Sequence, residues 1–167
     1  MYTYKKATID DSDLLTSLMR RAKAHWGYPQ KWLEEWKEEL TISPSYIASN
    51  IVVIIESDKK ALGFFGLELK DNYAYLNHLW VEPLHISTGL GKRLLAKAYK
   101  EALNRDYSTI ELLADPNAED FYRHFDATKI DEVRGDIFGT PRVLPRMRLV
   151  LESTHKLLNN NIEKYMS

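Results

Sequence analysis

Residues Leu76 to Leu95, reading LNHLWVEPLHISTGLGKRLL, constrain the fold most, because they must pass from strand to helix within a few positions. Leu79-Trp80-Val81 has strand character, and Pro83 has no N–H with which to continue a ladder. Ser87-Thr88-Gly89 offers capping and flexible residues before the apolar positions Leu90, Leu94, Leu95 and Ala98 recur at helical spacing. A strand, a loop and a helix N-terminus in that order present backbone N–H groups at the positive end of a helix dipole, and Gly89 and Gly91 let a bulky anion approach the main chain. The ligand expected there carries phosphate. A P-loop is excluded, since Ile86 stands where its first glycine belongs and Arg93 follows Lys92. A dinucleotide fingerprint is excluded too, because Leu94 occupies its third glycine position.

The rest of the chain reads as one mixed domain. The sequence has 167 residues, with 23 Lys and Arg against 24 Asp and Glu, so no overall field argues for nucleic acid or an anionic membrane. No cysteine is present, which removes disulfides, thiolate metal sites and a cysteine nucleophile together, and the five His residues show no ligand spacing, so no metal is expected. The longest aliphatic run, Ile51 to Ile55, is too short to cross a bilayer, and no secretory leader is apparent. The expected location is cytoplasmic.

In chain order, Tyr2 to Ala7 reads as a strand. Asp10-Asp11-Ser12 caps a helix with Leu14, Leu15, Leu18, Met19 and Ala22 on its apolar side. Pro29 opens a second helix through Trp32, Leu33, Trp36 and Leu40, and Ser43-Pro44-Ser45 begins a connector. Ile51 to Ile55, Leu62 to Leu69 and Tyr73 to Val81 form a three-strand meander, followed by a crossover helix over Thr88 to Asn104. Thr109 to Ala114 is the next strand, Asp115-Pro116-Asn117 a turn and cap, and Ala118 to Phe125 a short helix. Thr128 to Val133 and Met147 to Leu151 are the last strands, joined by a long loop from Gly135 to Pro145. Residues 1–152 are taken as the domain and Ser153 to Ser167 as a polar tail of uncertain order.

The opening stretch resembles motif A of the GNAT superfamily of acetyl-CoA-dependent N-acetyltransferases on Val81, Pro83, Gly89, Gly91 and Leu95. Ile86 stands where that family usually has Arg or Gln, and Ser87 where it has its first glycine. A second family motif matches at Ala118, Phe121 and Tyr122, with Asp126-Ala127 replacing the usual Gly-Phe. The resemblance covers roughly Tyr2 to Leu151. It implies an α/β chain of the α+β type with the GNAT fold, a mixed central sheet of about six to seven strands with splayed fourth and fifth strands, flanked by about four helices.

It also implies acetyl-CoA as cofactor. Pantetheine would pair with the fourth strand at Leu79, Trp80 and Val81, and the pyrophosphate would rest on Ile86, Ser87, Thr88, Gly89, Leu90, Gly91 and Lys92, with Asn117 near the pantetheine arm. Tyr122 would protonate the departing thiolate. The general base is left open between His78, Asn77 acting through water, and Glu68 on the neighbouring strand, with Tyr75 facing the acceptor. His25, Trp26 and Tyr28 would form an acceptor lip. Arg142, with Arg134, Arg146 and Arg148, could receive an acidic acceptor or pair across a homodimer. The implied activity is direct acetyl transfer to a small-molecule amine, with a protein lysine or N-terminus, or a non-catalytic acyl-CoA-binding module, as alternatives.

Overall fold

The computed structural model describes residues 1–151. The tail assigned from Ser153 lies outside the described residues. Among the described residues, five α-helices and seven strands follow in the order β1 (Thr3–Lys6), α1 (Ser12–Ala24), α2 (Gln30–Glu35), α3 (Pro44–Ser49), β2 (Ile51–Ser57), β3 (Lys60–Leu69), β4 (Ala74–Val81), α4 (Leu90–Leu103), β5 (Thr109–Leu113), α5 (Glu119–His124), β6 (Thr128–Ile137) and β7 (Thr140–Val150). The hydrogen-bonded strand order is β1-β2-β3-β4-β5-β7-β6, and β4 runs parallel to β5 while the other pairs with defined register are antiparallel. The chain resolves into two compact units, Met1–Glu68 with His78–Leu95, and Leu69–Asn77 with the described residues from Ala96 onward.

In the first unit, α1 buries Leu15, Leu18, Met19 and Ala22, positions three, four and seven apart that fall on one stripe. Leu15, Leu18 and Met19 join Ile42, Ile47, Val52, Ile54 and Phe64 in one core cluster. Burying each large aliphatic side chain contributes roughly 1.5–3 kcal/mol. Leu14, expected on this stripe, lies just outside its angular width and is exposed. The second helix stops at Glu35 instead of reaching Leu40. The Arg20 guanidinium takes the carbonyls of Leu40 (2.9 Å) and Lys37 (3.1 Å) and the Thr41 hydroxyl (2.9 Å), so these groups are satisfied without further helix. Ser43-Pro44-Ser45, expected as a connector, starts a short helix instead: Ser43 Oγ accepts from Tyr46 N–H and Pro44 occupies the first turn.

In the second unit, β5 lies between the first residues of β4, through Ala74↔Ile110 and Tyr75↔Glu111, and β7. The parallel register stops at the second residue of β4. The Gly135 to Pro145 segment is not a loop. β6 and β7 run through it as a hairpin, turning at Phe138 (φ 47°) and Gly139 (φ 82°). Pro141 is tolerated because β7 is paired there with β6 alone, and Pro145 because it falls where the β5 ladder ends, its carbonyl still accepting from Ala114 N–H (2.9 Å) while its missing N–H closes the ladder. Glu111 is buried (5% exposed) beside Arg146 Nε (3.6 Å) and an Arg148 guanidinium nitrogen (3.5 Å).

Candidate active site

The junction after β4 is built as a series of tight turns. His85 N–H donates to Glu82 O (2.8 Å), Ile86 N–H to Pro83 O (3.3 Å), and Thr88 Oγ1–H to His85 O (2.5 Å). Thr88 thus spends its hydroxyl on the turn. Ser87 (φ 65°) and Gly89 (φ 88°) both take the left-handed conformation, which turns the chain sharply into α4. Ser87 therefore adopts, at a steric cost, the backbone shape that its family counterpart glycine would take freely.

Arg93 N–H donating to Gly89 O closes the first turn of α4, so the amides of the residues just ahead lie at the helix N-terminus. Buried Leu90, Leu94 and Leu95 lock that helix end in place. A Cβ added at Gly89 would meet nothing within 4 Å, so the space before this main chain is open. The Arg93 guanidinium lies 5.0 Å from the Tyr2 ring centroid. Upstream, Glu82 is held by the Arg21 guanidinium of α1, and its N–H donates to Leu62 O (2.8 Å), fixing the end of β4 against β3. Gly63 is needed where these strands meet, since a Cβ there would lie 2.6 Å from Trp80 O. The residues at this junction fit a pyrophosphate held by main-chain amides.

Of the other candidates in the first unit, Leu79, Trp80 and Val81 are partly buried at the end of β4. His78 is partly buried and its Nδ1 accepts from Trp80 Nε1–H (3.2 Å). Burial pushes His78 down to about 4, against the pull of the Glu68 carboxylate. Glu68 itself accepts from the Tyr46 hydroxyl (3.1 Å). His25 and Trp26 meet edge to face (5.6 Å), and Tyr28 stacks on Trp32 (5.9 Å) and meets Trp36 edge-on (5.1 Å). Lys23 Nζ lies 4.9 Å from the Tyr28 ring and 4.8 Å from that of Trp36, so Tyr28 already faces an ammonium.

In the second unit, Tyr122 is buried on α5 and packs edge-on against Phe121 (5.1 Å). Burial pushes its phenol above the ordinary tyrosine range, so it stays protonated. Its carbonyl accepts from Ala127 N–H (3.1 Å) while Asp126 N–H donates to Arg123 O (3.0 Å), a Schellman ending with Asp126 at φ 63°. Asp126 is the second place where a non-glycine residue holds the conformation of a family glycine. Asn117 does not cap its turn. Asp115 does, accepting from Asn117 N–H (2.8 Å) and from its side-chain amide (3.0 Å). Arg142 lies 3.9 Å from Asp115, and Arg134 pairs with Glu132 (2.7 Å), so both arginines already face carboxylates. Tyr75 is partly buried, with Lys70 Nζ 6.0 Å from its ring, and Asn77 is exposed. Sequence reasoning gave Tyr46 no role: a tyrosine on a three-turn-signal stretch carries no pattern that ties it to a glutamate 22 positions away.

Solved structures share this fold. A GCN5-related N-acetyltransferase from Rhodopseudomonas palustris is 16% identical with a TM-score of 0.74, covering 89% of this chain and 94% of its own. The PaiA N-acetyltransferase of Thermoplasma acidophilum, solved in complex with coenzyme A, is 20% identical with a TM-score of 0.69, covering 90% of this chain and 99% of its own. The ribosomal-protein-S18-alanine N-acetyltransferase of Escherichia coli is 18% identical with a TM-score of 0.71, covering 90% and 94%. Among curated proteins, an uncharacterized N-acetyltransferase, ycf52, of Gracilaria tenuistipitata var. liui is 29% identical over 101 residues, 59% of this chain and 56% of that relative. The chain thus spans little more than half the length of the curated relative it matches. A sequence profile described as the acetyltransferase (GNAT) family matches residues 13–126, more than half the chain and both glycine-type turns, and on that match this chain belongs to the GNAT acetyltransferase family.

Proposed function

We propose that this protein transfers the acetyl group of acetyl-CoA to the primary amine of a small-molecule acceptor, directly, in a ternary complex. The observation that carries this reading is the junction after β4, where Ser87 and Gly89 at positive φ turn the chain into the N-terminus of α4 with open space beside Gly89. When bound, acetyl-CoA supplies the activated thioester. Amides from Ile86 to Lys92 hold the pyrophosphate, and the main chain of Leu79 and Val81 pairs with the pantetheine arm as an added strand would. The amide near Leu79 polarises the acetyl carbonyl. Tyr122, protonated throughout the working range, supplies the proton that the sulfur needs on leaving. The proposal includes a cytoplasmic setting; among the described residues no helix is long and apolar enough to cross a membrane.

The test combines calorimetry with acetyl-CoA and release of free thiol in the presence of a panel of small amines, lysine peptides and peptides with free N-termini. Binding together with thiol release that depends on a small amine is the expected result. Release with peptides alone would shift the acceptor to protein. Tight binding with no release across the panel would make the chain a binding module instead.

A further inference from the structure

A second polar group in the first unit stands apart from the phosphate-type junction. It draws Tyr46 from α3, Glu68 from β3, and His78 and Trp80 from β4, and all four side chains are only partly buried. Two hydrogen bonds organise it. The Tyr46 hydroxyl fixes the Glu68 carboxylate, and the Trp80 indole N–H occupies His78 Nδ1. With Nδ1 accepting, a neutral His78 carries its proton on Nε2 and is a donor at that nitrogen. The nitrogen that a general base would use is the one Trp80 holds.

Gly66 shows that the cluster is built. Its backbone does not have a positive φ, and glycine within a strand costs stability, so conformation does not account for it. A Cβ at this position would lie 2.7 Å from Tyr46 Oη, 3.1 Å from Tyr46 Cε1 and 3.2 Å from His78 Cδ2. The glycine makes room for the tyrosine and the imidazole to meet edge to face (5.2 Å) over β3. The outcome is one carboxylate beside aromatic rings, within reach of solvent. A primary ammonium suits that chemistry, since both the carboxylate and the ring faces attract it.

We infer that Tyr46, Glu68, His78 and Trp80 form the subsite for the acceptor's cationic nitrogen, with Glu68 as its proton acceptor and His78 as a positioning residue. The inference rests on the acetyl-transfer reading for its chemistry but not for its binding. The ammonium gives one proton to the Glu68 carboxylate. The freed lone pair forms the C–N bond to the acetyl carbon as the C–S bond breaks and its electron pair leaves on sulfur. The sulfur takes the Tyr122 proton, the nitrogen's second proton restores the phenol, and Glu68 returns its proton to water. Acceptor ammonium and acetyl-CoA become amide, free thiol and one released proton.

Glu68→Gln keeps the shape and an oxygen for Tyr46 but removes the charge. Its circular dichroism and acetyl-CoA affinity should match wild type, while kcat/KM for the best amine falls at least 100-fold and the acidic limb of the pH profile disappears. His78→Gln should raise KM for the amine more than it lowers kcat. Independently of turnover, propylammonium titrated into the full chain without acetyl-CoA should shift the His78 imidazole resonances saturably, and Glu68→Gln should abolish that shift. A folded Glu68→Gln variant with wild-type rate and pH profile, or a His78 signal that does not respond to propylammonium in wild type, would overturn the inference. Failure of wild type to bind acetyl-CoA would instead sink the acetyl-transfer reading, and the propylammonium titration would still decide the subsite.

Discussion

Acidification should weaken the folded chain through His78. The imidazole is partly buried against Phe64 and Tyr46, its Nδ1 accepts from Trp80, and the charged group facing it is the Glu68 carboxylate from β3. Burial outweighs that carboxylate and holds His78 at about 4, against about 6.5 for an unfolded histidine. The unfolded chain therefore binds a proton as pH falls through about 6.5, while the folded chain resists until about 4. The stabilisation is complete above the higher value, shrinks between the two, and is gone below the lower. A gap of this size is worth about 3 kcal/mol, most of which is lost by about pH 4.5. Urea unfolding of wild type and His78→Gln from neutral pH to that point isolates it. Carboxylates such as Asp11 and Glu101, held below their ordinary range by Lys5 and Thr8 and by Arg105 and Lys97, also lose stability on acidification, but equally in both proteins. The difference in unfolding free energy between the two proteins should move by about 2–3 kcal/mol. A difference that stays flat with pH would refute the argument that the imidazole is held neutral by its surroundings.

Three further outcomes are expected. Ser87→Gly should stabilise the chain by roughly 1 kcal/mol in thermal unfolding, because it removes a left-handed serine, and should leave acetyl-CoA affinity in calorimetry equal or tighter. Gly66→Ala should destabilise by about 1–3 kcal/mol, since the new methyl group must displace Tyr46 and His78, and the His78 resonances should move with it. Tyr122→Phe removes one buried hydroxyl; stopped-flow thiol release should slow at least 10-fold while calorimetry finds unchanged acetyl-CoA affinity.

How much of this was legible in the sequence depends on whether the signal is local. The strands β2, β3 and β5 and the helices α1 and α4 follow from runs and spacings of apolar residues, and each appears within a few positions of its expectation. The phosphate-type junction was legible for the same reason, as strand, loop and cap lie within twenty consecutive residues. Errors arise where a distant partner decides. Ser43-Pro44 reads equally as turn or helix start until Tyr46 N–H is seen bonding back to Ser43. Pro141 and Pro145 argue for a loop until β7 proves to outrun β5, so that Pro141 has no β5 ladder to break and Pro145 sits at its last bond, accepting from Ala114 N–H. Arg20 ends α2 from a different helix.

Backbone shape explains the departures from the family pattern in the same way. Ser87 and Asp126 look like lost glycines when letters are compared, yet both hold the positive φ for which glycine is used. At each, hydrogen bonds around the turn outweigh a steric cost of roughly 1–2 kcal/mol. For Asp126, they are the two bonds of the Schellman ending, from Asp126 N–H to Arg123 O and from Ala127 N–H to Tyr122 O. For Ser87, they are the bonds on either side of it that tie Ile86 and Thr88 back to Pro83 and His85. The chain has kept the turns and changed the residues, so the shape of the junction survives a substitution that weakens its sequence motif. Gly66 makes the converse case. It matches no motif and has an ordinary strand backbone, and its reason lies wholly in Tyr46 and His78, side chains 20 residues before it and 12 after. A glycine demanded by conformation can be replaced at a modest cost, whereas one demanded by neighbouring side chains cannot be replaced without moving them, and this is why the Tyr46 and Glu68 cluster became visible only in three dimensions.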